Sequence, residues 1–236
     1  MERVLGIIQG LTEFLPISSS GHLVFLSHTL SIETDAYQVA FLHLGTFLAV
    51  LFFSFNVLKR VLRNMKLLFN LVVSTMPVAF MGVLFEEKID TAFSRVEYLP
   101  FFFSATAVIL SLTRNLEGKR HLEDISWKEA LLVGLAQTVA VLPGVSRSGI
   151  TVSTLLFLGL KKLDAVRYSF LMSLPVILGA GLLSFKEVSF VPSSFLLSFS
   201  FGLVALLWLT KAVRSGNFWK FSYYCLFMAF LSYLVR

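Results

Sequence analysis

Apolar residues gather along this chain into runs of about 20, the length a helix needs to cross the hydrocarbon core of a bilayer. Five long runs predict spanning helices over residues 36–55, 67–85, 98–114, 164–184 and 193–211, and a sixth over 219–235 closes the chain. Two further regions, 1–31 and 128–160, are apolar but interrupted by Pro, Gly and clustered Ser, which leaves two pieces in each that are too short to span. Both read as re-entrant helical hairpins. The expected fold is an all-α integral membrane protein, a single membrane domain over residues 1–236 with six spanning helices and two re-entrant hairpins.

The two broken regions follow one plan. Shifting the chain by 128 residues lays Gly6 on Gly134, Gln9 on Gln137, Ser18 on Ser146, Ser20 on Ser148 and Gly21 on Gly149. One residue of slip later, Asp35 and Ala36 fall on Asp164 and Ala165, and Phe41 and Leu42 on Phe170 and Leu171. The halves run over about 1–115 and 128–236, each with one hairpin and three spans, an odd number that inverts the second half.

Charge gives an independent check on that topology. Lys59, Arg60, Arg63 and Lys66 mark one cytoplasmic loop, and Arg114, Lys119, Arg120 and Lys128 a second. Lys161, Lys162 and Arg167, then Lys211, Arg214 and Lys220, mark two more, so that fourteen of the 20 cationic residues fall inside. The other side receives Arg3, Lys88, Arg95, Lys186 and Arg236, and its loop at 86–97 is acidic on balance.

Composition narrows the class further. A hydrophobic fraction of 56% and a mean hydropathy of +0.81 exceed those of an ordinary soluble domain. The net charge of +6 resides in loops and not on an aromatic-interleaved face, which speaks for a membrane orientation signal and against nucleic acid. Cys225, the single cysteine, lies inside an apolar run and reads as a packing residue. Glu2 and Arg3 are not followed by the pattern of a removable signal peptide.

The chemistry concentrates at the two breaks. In the first, Gln9 and Glu13 are spaced to share one helix face, and Pro16, Ser18, Ser19, Ser20, Gly21 and His22 follow. The second reads Pro143, Gly144, Val145, Ser146, Arg147, Ser148, Gly149, Ile150 and Thr151. An arginine in an apolar segment costs at least about 2.5 kcal/mol on insertion scales, so Arg147 implies an anionic partner in a polar cavity. Its planar fork suits two phosphate oxygens, while Ser146, Ser148 and Thr151 add hydroxyls and Gly144 and Gly149 let the backbone turn tightly. A helix starting near Ser148 aims its amides at the same anion. Capping and chain breaking alone also explain such serines. Glu13, His22, the serine hydroxyls and Arg147 together suffice for phosphoanhydride hydrolysis. Glu13 with Gln9 equally suits a divalent cation. His28, His43 and His121 read as structural, and the 25 phenylalanines as lipid-facing, packing or tunnel-lining.

These two segments resemble the signature motifs of the bacterial undecaprenyl-diphosphatase family, also called the bacitracin-resistance protein family. The first motif is matched by Gln9, Glu13, Pro16, Ser18, Ser19, Gly21 and His22, and the second by Pro143, Gly144, Ser146, Arg147, Ser148, Gly149 and Thr151. Gln9 stands where many members carry Glu, which weakens any scheme in which two carboxylates share a metal or proton. The resemblance implies removal of the terminal phosphate of undecaprenyl diphosphate at the outer face of the inner (plasma) membrane, recycling the lipid carrier for peptidoglycan synthesis, and bacitracin resistance. It further implies that Glu13 and His22 are acid/base or metal-site groups, that Ser19 is the nucleophile, and that Ser146, Arg147 and Thr151 bind the diphosphate. Ser18, Ser20, Gly144 and Ser148 belong to the same cradle. A divalent cation, Mg²⁺ or Ca²⁺, is implied as well, with Glu13 and Gln9 as its protein oxygens.

The expected partners are the polyprenyl diphosphate substrate and membrane lipids; a homo-oligomer is left open. A membrane phosphatase of the phosphatidic-acid type fails at its nucleophile, because Ser153 stands where that family needs a histidine. A polyprenyl phosphate transporter, alone or alongside hydrolysis, is the alternative from a different class.

Overall fold

A computed structural model describes residues 2–30, 36–84, 95–183 and 191–236. Lys88, Lys186 and most of the expected acidic loop at 86–97 lie outside these residues. Among the described residues every regular element is helical, apart from one isolated parallel bridge between Arg120 and Leu160. The α-helices are α1 (Glu2–Phe14), α2 (Ser19–Leu30), α3 (Ala36–Leu62), α4 (Met65–Leu84), α5 (Leu99–Ser111), α6 (Trp127–Val139), α7 (Arg147–Phe157), α8 (Lys162–Leu183), α9 (Pro192–Arg214) and α10 (Phe221–Val235).

Four stretches are long and apolar enough to cross a bilayer: Phe41–Leu62, Met65–Gly82, Pro192–Arg214 and Phe218–Val235. These match four of the six expected spans. Of the other two, α5 has 13 residues and is led in by a 3-10 turn at Val96–Tyr98. α8 is 22 residues long, about 33 Å at the helical rise, but carries Lys162, Asp164 and Arg167 in its first two turns. The sequence placed the end of α3 near residue 55, whereas the helix continues to Leu62. Its last turns are built from good helix formers, and Lys59 and Arg60 extend from them. A two-residue turn follows, in which Asn64 accepts the Leu67 amide at 3.2 Å and starts α4.

Both interrupted regions divide as expected. The pieces α1, α2, α6 and α7 have 13, 12, 13 and 11 residues. At about 1.5 Å per residue none exceeds roughly 20 Å, well short of the bilayer's hydrocarbon thickness.

The first piece of each interrupted region packs against a long span: α1 lies on α9, and α6 on α4. Equivalent glycines make both crossings close. A Cβ on Gly6 would fall 2.5 Å from the Ser194 carbonyl oxygen, and one on Gly134 would fall 2.5 Å from that of Ser74. α5 against α10, α3 against α9 and α3 against α8 are the other principal pairings. The main core lies between them, where Phe14, Phe170, Leu171, Leu155 and Leu206 are buried. Phe52, Phe80 and Phe101 point outward, 64 to 73% exposed, as expected of side chains that face lipid.

Contacts gather the cationic loops at one end. Arg60 approaches Glu123 at 3.7 Å, Lys66 donates to the Glu123 carbonyl, and Lys161 meets His121 at 2.7 Å. Arg120 ties the central linker to the second hairpin, donating to the Leu158 carbonyl and through both guanidinium nitrogens to Glu129. Those bonds pull the Glu129 carboxyl down to about 2, and the carboxylate closes the capping box with Ser126 that starts α6.

The close crossings predict a graded response to added methyl groups. Gly6→Ala and Gly134→Ala should each lower stability by about 1–3 kcal/mol through overpacking. Gly82→Ala, where a Cβ meets nothing within 4 Å, should be neutral or stabilising. Thermal unfolding of the three variants in one detergent checks the ranking.

Candidate active site

Gln9 and Glu13 occupy one face of the last turns of α1, and both are buried. Pro16 stops the helix, since it cannot extend the hydrogen-bond ladder. The chain reverses through Ser18, a non-glycine residue held at φ 66°. Such a left-handed conformation costs about 1 kcal/mol or more and persists only where neighbouring bonds hold it. Here the Ser18 carbonyl accepts from the His22 amide and from His22 Nδ1, and Ser18 Oγ accepts the Gly21 amide.

The second break is built by different means. Ser146 caps α7, its Oγ accepting the Gly149 amide at 3.1 Å, and Gly144 takes φ 95°. The two breaks meet directly. Ser18 Oγ accepts the Gly144 amide at 3.1 Å, and Ser148 Oγ donates to the Leu15 carbonyl at 3.0 Å. A Cβ on Gly21 would fall 2.8 Å from Gly144 Cα, so the backbones are in contact there. Thr106 of α5 clamps the second loop, donating to the Gly144 carbonyl and accepting the Ser146 amide.

At this crossing Arg147 projects from the first turn of α7 onto the end of α1. Its Nη2 donates to Glu13 Oε1 at 2.5 Å, with only 15% of the Arg147 side chain exposed. The other carboxylate oxygen, Oε2, accepts from Ser19 Oγ at 2.7 Å and from Gln9 Nε2 at 2.9 Å. Glu13 thus has a guanidinium on one oxygen and a hydroxyl on the other. The set can remove a proton from Ser19 while holding positive charge beside it.

The remaining expected residues separate into two groups. Ser19 and Ser20 are partly exposed, whereas Ser18, Ser146, Ser148 and Thr151 are buried. Those four hydroxyls are engaged within the protein: Ser18 and Ser148 join the two loops, Ser146 caps α7, and Thr151 donates to the Arg147 carbonyl while bonding Ser169. His22 stands apart from the carboxylate. Its Nδ1 bonds the Ser18 carbonyl, which can only accept, so Nδ1 carries the proton. Nε2 then accepts from the Tyr224 hydroxyl at 2.7 Å. Both ring nitrogens are engaged away from Ser19.

His43, read from the sequence as structural, lies beside the carboxylate. From α3 its Nδ1 reaches Gln9 Nε2 at 2.9 Å and lies 3.6 Å from Glu13 Oε2. Because Gln9 Nε2 donates to both neighbours, Nδ1 is the acceptor and the proton sits on Nε2. A histidine near the start of an apolar span was the available signal. Tyr224, Thr106 and Ser169 carried none, lying in runs where adjacent residues of the same type face lipid or packing.

A family profile described as "Bacitracin resistance protein BacA" matches residues 3–231 of the chain. Among curated proteins, the chain is 54% identical over 236 residues to an undecaprenyl-diphosphatase of Thermotoga petrophila, covering 100% of both chains. It is 54% identical over 235 residues to that of Thermotoga maritima, covering 99% of each. The undecaprenyl-diphosphatase of Methanococcus maripaludis is 43% identical over 241 residues, covering 97% of each.

Ser18→Ala removes the acceptor that joins the loops and leaves the buried Gly144 amide without it. It should cost about 1–3 kcal/mol. Thermal unfolding reads the loss, and an unchanged midpoint would show that the crossing does not rest on this hydroxyl.

Proposed function

The chain belongs to the bacitracin resistance protein BacA family, and from that premise we propose that it hydrolyses undecaprenyl diphosphate to undecaprenyl phosphate and inorganic phosphate. The observation that carries the reading is the Glu13 carboxylate held between the Ser19 hydroxyl and the Arg147 guanidinium. Bacitracin resistance, named by the family, goes with that activity, as does recycling of a lipid carrier for cell-wall synthesis.

In the free protein Glu13 and Arg147 neutralise each other. An arriving diphosphate competes with the carboxylate for the guanidinium, whose fork matches phosphate oxygens, and the amides that open α7 face the same region. Loss of its cationic partner makes Glu13 a stronger base toward Ser19. Glu13 Oε2 then takes the Ser19 proton as Oγ attacks the terminal phosphorus. The bond from that phosphorus to the bridging oxygen breaks, and undecaprenyl phosphate leaves with its electron pair. Glu13 gives the Ser19 proton to the departing bridging oxygen, which restores the carboxylate. Water, deprotonated at it, then hydrolyses the phosphoserine, and the serine oxygen recovers this second proton from Glu13 as inorganic phosphate leaves. Arg147 stabilises charge on the equatorial oxygens in both steps. The His22–Tyr224 pair fixes the start of α2, and with it Ser19.

Mg²⁺ or Ca²⁺ fits this site on one structural ground. Gln9 Oε1 is buried and has no hydrogen-bond partner, and it lies on the side chain that already contacts Glu13. Gln9 and Glu13 would hold the cation, with substrate and water oxygens completing its shell, as suits a metal that keeps few protein ligands. When bound it would neutralise phosphate charge.

The same reading places two halves, about 1–115 and 128–236, in an inverted repeat of six spans and two re-entrant hairpins. The exchanged packing of α1 on α9 and α6 on α4, with equivalent Gly6 and Gly134 at each crossing, supports it. The gathered cationic loops support a cytoplasmic end, hence a site that opens to the outer face of the inner membrane. Nothing in the comparisons favours the transporter alternative.

Purified protein in detergent should release phosphate from undecaprenyl diphosphate. Glu13→Gln, Ser19→Ala and Arg147→Ala should each reduce release by 10²- to 10⁴-fold, taken from typical losses of a base, a nucleophile's function or a charge-stabilising donor. Combining Glu13→Gln with Arg147→Ala should cost far less than the product of the single losses, because the residues act as a unit. Chelation should stop turnover and Mg²⁺ restore it. Full release by Glu13→Gln would overturn the scheme.

A further inference from the structure

A shallow depression, with room inside for about one water molecule, lies at the opposite end of α7 from Arg147, among the cationic loops. Thr113, Leu156, Val213 and Phe218 form its buried floor, and Arg114, Lys162, Gly216 and Trp219 its rim. α7 has 11 residues, so its ends lie about 16 Å apart. The depression is therefore separate from the crossing of the two breaks.

Its electrostatics are one-sided. The segments around it, residues 111–117, 160–163 and 211–220, hold Arg114, Lys161, Lys162, Lys211, Arg214 and Lys220 against one carboxylate, the exposed Glu117. The nearest acid in sequence to Lys162, Asp164, is engaged by Arg167 at 3.1 Å and His121 at 3.3 Å. Helix C-termini of α5, α7 and α9 open nearby, but each contributes only roughly half a negative charge. Six cations exceed that. Neither Arg114 nor Lys162 has a carboxylate partner among the described residues, and the Arg114 guanidinium is held 4.6 Å from the Trp219 ring centroid.

An apolar wall starts at the same rim. Leu112 and Tyr223 are each 62% exposed, Phe227 is 55% exposed, and the Tyr223 ring packs against Trp219 at 5.5 Å. A cationic rim that opens onto an exposed apolar surface, with a tryptophan at the boundary, matches a molecule with an anionic head and acyl tails. We propose that the rim of this depression binds the phosphate of an anionic bilayer phospholipid, with Arg114 and Lys162 on the headgroup and the tails along α5 and α10.

Native mass spectrometry of the full chain, titrated with phosphatidylglycerol or phosphatidylcholine, tests the assignment. One phosphatidylglycerol should be retained in preference to phosphatidylcholine. The double variant Arg114→Gln/Lys162→Gln should weaken that binding on the order of 30-fold, as two cations of this kind contribute. The charge-matched Lys211→Gln/Lys220→Gln should retain most of it, which separates the rim from general surface charge. Phosphate release from undecaprenyl diphosphate, expected to be unchanged, confirms that the double variant folds. If it does not fold, Arg114→Lys/Lys162→Arg, which keeps the charge, should bind as wild type does. Equal retention by wild type and Arg114→Gln/Lys162→Gln, no preference over phosphatidylcholine, or displacement of the lipid by inorganic phosphate at equal concentration would each overturn the proposal.

Discussion

The ion pair between Glu13 and Arg147 is the constraint around which the rest is arranged. Neither charge is tolerable alone in so apolar a chain, and breaking a buried pair commonly costs about 3–5 kcal/mol because one ion is left uncompensated. The partners are separated by 134 residues and belong to the two different interrupted regions. They approach only if both helices stop short and both loops turn inward at the same depth. Pro16, the left-handed Ser18, Gly21 and Gly144 supply those conditions, and the Ser18 to Gly144 bond holds them. Under the proposed function the pair is temporary, because an arriving diphosphate would compete with Glu13 for the guanidinium.

The row of hydroxyls that looks uniform along the sequence divides in space. Buried serines need partners and find them in backbone groups of the opposite loop, so Ser18, Ser146 and Ser148 hold the site together. Ser19, one position along α2, turns toward Glu13 instead. The left-handed turn at Ser18 makes this division: it aims Ser18 at the opposite loop before α2 starts at Ser19, so one motif serves both structure and chemistry.

Much of this was legible beforehand because it rests on local rules. The i, i+4 spacing of Gln9 and Glu13, the interruption of apolar runs at Pro16 and Pro143, and the improbability of an unpaired Arg147 each follow from a few adjacent residues. Contacts from other helices did not. Tyr224 and Thr106 reach the crossing from α10 and α5, and their sequence neighbourhoods are indistinguishable from lipid-facing helix; His43, from α3, stood out only as a histidine in an apolar run. His22 shows the converse. Its place in the motif suggested a base beside the serines, yet its ring is committed to Ser18 and Tyr224, a geometry set by α10 more than 200 residues away.

The crossed packing of the halves has a consequence for the order in which the molecule is made. α1 leaves the ribosome first, but the surface that covers Gly6 belongs to α9, some 180 residues later. At roughly 5–20 residues per second that is an interval of about ten to forty seconds. Through it a 13-residue helix bearing a buried glutamine and glutamate has neither its neighbour nor its arginine, and must be sheltered at the membrane surface or by the insertion machinery. The second hairpin escapes this delay, since α4 is already in place when α6 emerges.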